Sequence, residues 1–216
     1  MELIRFDGRF WLIAALVAAV SYLIGSVSFA VIVSRIGAQD DVRIHGSGNA
    51  GMTNILRTYG KKLAFFTAIG DFGKGIVAVA LGRMVFGLAD IHSFDGGYIA
   101  GLFVILGHLY PLFFGFKGGK GVLTGLGVVL VLNWRVFLII TVLLVPVVFK
   151  IKIVSLTVLI GYTLFPIFTV LVDWWMGRNI LFNLFFSLII SVIGIYKHRE
   201  NIKRLRAGTE YKFGQK

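Results

Sequence analysis

The sequence contains no cysteine, three prolines and only ten acidic residues in 216. Without cysteine there can be no disulfide framework and no thiolate metal ligand. The few carboxylates argue against a magnesium site, which takes acidic oxygen ligands. The four histidines are too scattered for the ligand spacing of a zinc site. Metal-dependent chemistry is therefore not expected, and no cofactor is implied.

Apolar residues make up 57% of the chain and charged residues only 15%. A soluble domain is about 45–50% apolar and about 25% charged. The 27 glycines suit closely packed membrane helices. The first uncharged run, residues 10–34, is too long for a secretory signal core and lacks a small-residue cleavage site. We expect it to be an uncleaved membrane span.

The apolar runs predict an all-α polytopic membrane protein forming a single domain over residues 1–216. A helix needs about 20 apolar residues to cross a bilayer. The "NWR" at 133–135 leaves open whether the middle contains one long helix or two short ones. Lys and Arg collect in cytoplasmic loops, and only the two-helix choice gathers most of them on one side. We therefore predict an outside N-terminus, a cytoplasmic C-terminus and seven spans, over roughly residues 10–34, 63–87, 96–116, 120–133, 135–149, 153–172 and 178–196.

Two glycine-rich patches are placed on the cytoplasmic side by this topology. The first is "HGSGNAGMTNILRTYGKK" at 45–62, whose glycines can turn backbone N–H groups toward an anion. If its second half is helical, Thr53 and Asn54 share a face with Arg57. The second is "GFKGGKGV" at 115–122, with two lysines among four glycines. It is not a nucleotide P-loop, because that motif needs Ser or Thr after the lysine. The simpler alternatives are a solvated loop and an ordinary positive-inside loop.

Two further basic patches lie on the same predicted side. In "KIKIVS" at 150–155, the lysines are sufficiently explained as topology signals. "HRENIKRLRAGTE" at 198–210 could be a juxtamembrane segment that binds acidic lipid. On a helix it would place His198 and Asn201 on one face and let Glu200 pair with Arg204.

Only Asp71 and Lys74 are charged within the predicted spans. Their spacing of three predicts an ion pair on one helix. A functional role, the default for intramembrane charges, and a structural pair both stay open. His108, near the second glycine-rich patch, could be a packing residue.

Together the patches offer many cations and N–H donors and few carboxylates. This pattern favours a ligand that is part phosphate and part lipid, bound at the cytoplasmic membrane boundary. With +12 net charge, a soluble protein would suggest nucleic acid, but here the cations serve a membrane protein. The main alternative is a transporter of a phosphorylated solute, although its ligand groups would lie near the bilayer midplane. A CDP-alcohol phosphotransferase would need a cluster of aspartates that these patches do not contain.

"GSGNAGMTNILR", "GHLYPLFFGFKGGKGV" and "HRENIKRLRAGTE" together resemble the three cytoplasmic motifs of the bacterial acyl-phosphate:glycerol-3-phosphate acyltransferases. The resemblance extends from about residue 25 to residue 210. It implies transfer of a fatty acyl group from acyl-phosphate to the 1-hydroxyl of glycerol-3-phosphate, giving lysophosphatidic acid and phosphate. It also implies a monomer in the bacterial inner membrane, with its active site on the cytoplasmic face and membrane lipid around it.

The resemblance implies site residues as well. The catalytic set is Lys120, Arg57, His198 and Asn201. The substrate-binding set is Ser47, Gly48, Asn49, Thr53, Asn54, Lys117, Gly118, Gly119 and Ser155. No metal ligand is among them. The sequence "KIK" before Ser155 departs from the family pattern, in which Lys-Arg is common.

The chemistry fits these residue types independently. An acyl-phosphate already has a good leaving group, so positioning and fixed positive charge supply much of the catalysis. No histidine is followed five residues later by aspartate, the dyad of other glycerolipid acyltransferases. We hypothesise that a substrate phosphate accepts the proton, with His198 as the competing base.

Overall fold

The computed structural model describes residues 7–178 and 180–213, and all regular elements in these ranges are helical. Asn179, within the predicted span 178–196, lies outside the described residues. Two 3₁₀ turns, Val42–Ile44 and Leu112–Phe114, accompany the α-helices. The α-helices are α1 Gly8–Ser26, α2 Phe29–Ala38, α3 Met52–Tyr59, α4 Lys61–Leu88, α5 Gly97–Leu109, α6 Val122–Leu132, α7 Trp134–Ile151, α8 Val154–Trp175, α9 Ile180–Lys197 and α10 Arg199–Arg206.

Within the described ranges, six segments are long and apolar enough to cross a membrane. α6 is apolar but shorter, and the predicted fourth span falls on it. The prediction of an all-helical, multi-pass membrane protein is confirmed. The six segments are Gly8–Ala38, Lys61–Leu88, Gly97–Phe114, Trp134–Ile151, Val154–Trp175 and Ile180–Lys197.

The chain divides into two compact units, the first ending at Leu132 and the second starting at Asn133. In the first unit, α4 packs against α1, α2, α3, α5 and α6, and α1 also packs along α5. Glycines bring the α4 and α6 backbones together. A Cβ on Gly75 would overlap the Thr124 carbonyl oxygen, and one on Gly127 would overlap that of Phe72.

The first apolar run is interrupted, where the sequence predicted a continuous span. α1 ends at Ser26 and α2 begins at Phe29, with extended backbone at Val27 and Ser28. Carbonyls freed by a break inside a membrane need internal partners. Lys74 of α4 provides them, because its Nζ donates to the carbonyls of Gly25 at 3.0 Å and Val27 at 2.7 Å.

In the second unit, α8 packs against α7 and α9, and α10 follows α9. The "NWR" segment separates two helices, as predicted: α6 ends at Leu132 and α7 begins at Trp134. Asn133 caps α7, since its Oδ1 accepts a hydrogen bond from Val136 N at 3.3 Å. A side-chain cap satisfies one of the unpaired N–H groups of the first turn.

Candidate active site

The first glycine-rich patch is a loop leading into α3, so its second half is helical. Gly46 and Gly48 have φ of 57° and 68°, a left-handed conformation that glycine adopts without steric cost. Asn54, on α3, fixes this loop through hydrogen bonds from its side chain to the loop backbone. Its Oδ1 accepts from Ser47 N at 3.0 Å, and its Nδ2 donates to the carbonyls of Val42 and His45 at 3.1 and 3.0 Å.

Asn54 is therefore buried and satisfied by the loop backbone. These contacts shape the patch, and the predicted substrate contact of Asn54 stays a prediction. The isosteric aspartate would lose both donors and place a charge among backbone carbonyls.

An arginine clamp joins the segment just before the first patch to the turn just before the second. Arg43 Nε and Nη2 donate to the two carboxylate oxygens of Asp41 at 2.9 and 2.8 Å, and its Nη1 donates to the Phe114 carbonyl at 2.7 Å. The Arg43 guanidinium is the main reason that the pKa of Asp41 lies well below its usual range, although partial burial opposes the shift. This bidentate pair stays ionised at any physiological pH.

The second patch folds back on the end of α5. Gly115 and Gly121 have φ of 66° and 78°. Gly119 N donates to the His108 carbonyl at 3.2 Å. A Cβ on Gly118 would overlap that same carbonyl, and one on Gly119 would overlap His108 Nε2. Turn geometry and close packing thus explain all four glycines.

The N–H of Gly119 is therefore used by the His108 carbonyl, and the substrate-binding role of Gly119 stays a prediction. The anion-binding potential of the patch rests on the remaining N–H groups around Gly118 and on the N-terminus of α6, which begins at Val122.

The two glycine-rich patches lie side by side in the first unit. A Cβ on Gly119 would be 2.6 Å from the carbonyl oxygen of Ala50, and the Arg43 clamp links the residues that precede the two patches. Donor-rich segments about 70 residues apart thus form one surface. Lys120 is half-buried there, whereas Lys117 is exposed.

In the second unit, one carboxylate organises the predicted residues. Glu210 Oε1 accepts from Ser155 Oγ at 2.7 Å and from Asn201 Nδ2 at 2.6 Å, and Oε2 accepts from Arg204 Nε at 2.7 Å. Burial alone would raise the pKa of Glu210, but these three hydrogen bonds together lower it below its ordinary value. Glu210 therefore fixes α10 against the start of α8 as an anion.

His198 is buried at the start of α10. Its Nδ1 lies 2.8 Å from the Gly194 carbonyl, which can only accept, so Nδ1 carries a hydrogen. Nε2 is then the nitrogen that could exchange a proton with a ligand.

One predicted ion pair is wrong. Glu200 pairs with Lys203 at 3.2 Å, while Arg204 pairs with Glu210 at 2.7 Å. The buried carboxylate competes better for Arg204 because its surroundings screen charge less than solvent does.

The predicted site residues differ in exposure, and their substrate contacts stay predictions. Exposed members are Ser47, Gly48, Arg57 and Lys117, half-buried members are Asn49, Thr53, Gly118 and Lys120, and buried members are Asn54, Gly119, Ser155, His198 and Asn201.

The sequence indicated no role for Glu210 or Arg43. The signal available for Glu210 was its position as a carboxylate at the end of a strongly basic segment. Over the described residues, no group of three or more His, Asp or Glu could hold a metal ion.

The chain is similar to known proteins along most of its length. The family model for glycerol-3-phosphate acyltransferase matches residues 15–208. A glycerol-3-phosphate acyltransferase of Clostridioides difficile is 41% identical, covering 93% of this chain and 96% of the relative. One from Neisseria gonorrhoeae is 42% identical, covering 92% and 96%.

Two crystal structures of PlsY (YgiH), described as an integral membrane glycerol 3-phosphate acyltransferase, match as well. The glycerol 3-phosphate form has a TM-score of 0.81 at 35% identity, covering 93% of this chain and 96% of the other. The lysophosphatidic acid form has a TM-score of 0.79 at 34% identity, covering 93% and 95%.

The apolar helices and these matches define an integral, multi-pass membrane protein whose polar groups are mostly donors and cations. Within that class, the chain belongs to the glycerol-3-phosphate acyltransferase family.

Proposed function

We propose that this protein transfers a fatty acyl group from acyl-phosphate to the 1-hydroxyl of glycerol-3-phosphate, giving lysophosphatidic acid and phosphate. One observation carries the proposal. The PlsY structure that this chain matches at a TM-score of 0.81 is a glycerol 3-phosphate form, and its companion is a lysophosphatidic acid form. Those two molecules differ by one acyl group, so they are the acceptor and the product of this transfer.

The bond changes are simple. The 1-hydroxyl oxygen of glycerol-3-phosphate attacks the carbonyl carbon of the acyl-phosphate, and the bond from that carbon to the phosphate oxygen breaks. Phosphate leaves with the bonding electron pair, and the hydroxyl proton passes to a phosphate oxygen of a substrate. Since the leaving group is already good, the protein must mainly position both substrates and stabilise negative charge.

We assign that stabilisation to Lys120, Arg57 and nearby donors of the first unit, because this surface is basic and poor in carboxylates. Ser47, Asn49, Thr53 and the Gly118 backbone are proposed to bind substrate phosphate there. His198 and Asn201 are proposed to bind glycerol-3-phosphate. Ser155 is proposed to contribute through the Glu210 network that holds it.

We also propose seven spans, an outside N-terminus and an active site on the cytoplasmic face of the bacterial inner membrane. Six long apolar segments and the shorter α6 support the count, and the bias of Lys and Arg supports the orientation. Residues 1–216 are proposed to act as one acyltransferase domain in a monomer surrounded by lipid.

The test is a defined reaction. Purified protein in lipid receives acyl-phosphate and labelled glycerol-3-phosphate in the presence of a metal chelator, and lysophosphatidic acid is measured. We expect product under these conditions. Product that forms only with acyl-CoA or acyl-carrier protein would reject the proposed donor. Uptake of labelled glycerol-3-phosphate into sealed vesicles without product would favour transport.

The role of His198 has its own test. His198→Gln keeps a polar side chain but removes the basic ring nitrogen. If a substrate phosphate accepts the proton, this variant retains turnover at saturating glycerol-3-phosphate. Loss of turnover with unchanged glycerol-3-phosphate binding would instead make His198 the base.

A further inference from the structure

Three ionisable side chains form a buried cluster that the proposed chemistry does not use. Asp71 and Lys74 lie on α4 and His108 lies near the end of α5, with relative exposures of 2%, 5% and 6%. Asp71 Oδ1 is 3.1 Å from Lys74 Nζ and 3.5 Å from His108 Nδ1. The predicted pairing of Asp71 with Lys74 is thus confirmed. Charges buried at this depth are costly and by default indicate a functional role.

The contacts of Lys74 explain why its charge is buried here. Its ammonium has three donors, and they face the carbonyls of Gly25 and Val27 and the carboxylate of Asp71. A cation at the C-terminal end of α1 is also favoured by the helix dipole. Lys74 therefore stabilises the break in the first apolar run.

His108 continues the cluster toward the second glycine-rich patch. One ring nitrogen, Nδ1, faces Asp71. The other, Nε2, lies so close to Gly119 that any Cβ there would overlap it. The backbone of the same residue accepts the Gly119 N–H at 3.2 Å. Both the ring and the carbonyl of His108 thus set where Gly118 and Gly119 lie.

Asp71 in turn fixes the ring. Its Oδ1 lies 3.1 Å from the Lys74 ammonium and 3.5 Å from the His108 ring, and within the described residues it accepts no aligned hydrogen bond. Removal of the negative charge would leave the Lys74 ammonium close to the imidazole with nothing between them to attract both. The ring would then turn or shift, and the backbone packed on Nε2 would move with it.

We propose that Asp71 and His108 are positioning residues that hold the Gly118–Gly119 backbone where the phosphate of the acyl-phosphate binds. This inference rests on the proposed function. Neither side chain touches substrate. The pair acts by keeping the N–H groups of the loop in place before the substrate arrives, which lowers the reorganisation needed on binding.

The experiment measures KM for each substrate separately, with kcat and the thermal unfolding midpoint, in purified protein. The variants are Asp71→Asn and His108→Gln. Matched controls are Asp173→Asn, another buried aspartate, and His92→Gln, an exposed histidine. We expect KM for acyl-phosphate to rise about tenfold in both variants, with less than about a twofold change for glycerol-3-phosphate and in the controls.

A purely structural role would lower the amount of active protein and hence kcat, without separating the two KM values. Unchanged KM for acyl-phosphate, or an equal rise for both substrates, in folded variants would overturn the inference. Failure of the unaltered protein to use acyl-phosphate at all would instead reject the proposed function on which the inference rests.

A double-mutant cycle covers the case in which Asp71→Asn does not fold. Gly119→Ala places a methyl group against His108 Nε2. If His108 acts through Gly119, the effects of His108→Gln and Gly119→Ala on KM for acyl-phosphate are less than additive. Full additivity would show that His108 acts elsewhere.

Discussion

At the scale of single residues, Lys120 and Lys117 make the clearest contrast. They are neighbours on one glycine-rich loop, but Lys120 is half-buried and Lys117 is exposed. A cation held in partly desolvated surroundings stabilises developing phosphate charge more than one in water. We expect Lys120→Ala to lower kcat/KM about 10²–10³-fold and Lys117→Ala less than about tenfold.

The measurement is acyl transfer at several ionic strengths, with each variant checked for folding. The loss in Lys117→Ala should shrink further as salt rises, because salt screens an exposed charge. Equal and mild losses at both positions would make this loop an ordinary positive-inside signal.

Glu210 gives a prediction of pH dependence. Because hydrogen bonds from Ser155, Asn201 and Arg204 lower its pKa, the folded state favours the carboxylate. The stabilisation is complete above the ordinary glutamate pKa of about 4.3 and disappears as pH falls through the lower, folded-state pKa. We expect Glu210→Gln to lose about 2 kcal/mol of stability at neutral pH and little in acid.

Thermal unfolding from pH 7 to pH 3 checks this, with Glu200→Gln as the control. Glu200 is exposed and pairs at the surface with Lys203 and Arg199, so its variant should differ from the natural protein by less than about 1 kcal/mol. A gap between Glu210→Gln and the natural protein that stays constant down to pH 3 would contradict the titration argument.

Residue types in the patches could be predicted from sequence, but their partners could not. The motifs singled out Asn54, Ser155 and Asn201 as polar residues at the site. The structure shows that Asn54 bonds to its own loop and that the other two share Glu210. Hydrogen-bond partners far apart in sequence depend on which helices meet, and periodicity carries no information about that.

At the scale of elements, close helix contact depends on particular glycines. Gly75 and Gly73 lie on the same helix, but a Cβ on Gly75 would overlap the Thr124 carbonyl, whereas a Cβ on Gly73 would meet nothing within 4 Å. We expect Gly75→Ala to destabilise by about 1–3 kcal/mol through overpacking. Gly73→Ala should be neutral or stabilising by up to about 1 kcal/mol, since alanine favours a helix.

Unfolding midpoints of the two variants in the same detergent compare them directly. A similar unfolding midpoint for both variants would mean that α4 and α6 can move apart without a loss of folding free energy. Gly125 lies on the same helix as Gly127, but a Cβ on Gly125 would have its nearest neighbour 3.9 Å away, so Gly127 makes the close contact.

Helix positions followed from apolar length, and the break in the first run did not. No proline or charge marks residues 27–28, so a continuous helix was the reasonable expectation. The break is stable because Lys74 reaches its carbonyls from another helix. Such compensation exists only after α4 has packed against α1.

At the scale of the whole molecule, topology is the proposal most open to direct test. The absence of cysteine allows single cysteines to be introduced without background. We expect a membrane-impermeant thiol reagent to label Ser93→Cys and Arg178→Cys in spheroplasts with intact inner membranes. Lys61→Cys and Lys212→Cys should be labelled only after permeabilisation. All four positions are exposed in the structure.

Labelling of Lys212→Cys in intact spheroplasts, with Ser93→Cys also labelled, would place the C-terminus outside and reduce the span count to an even number. Acyl transfer by each variant serves as the control for correct insertion.

The sequence by itself determined the membrane class, the helical architecture, the donor-rich patches and the family resemblance. The comparisons confirm the family. These properties depend on composition, on apolar run length and on local motifs, all of which can be seen in one dimension. Only the tertiary structure decided that Gly119 rests on His108, that His108 faces Asp71, and that Glu210 gathers Ser155, Asn201 and Arg204. Buried charges and close backbone contacts are stable only when distant helices supply partners, so their roles become visible only once the chain has folded.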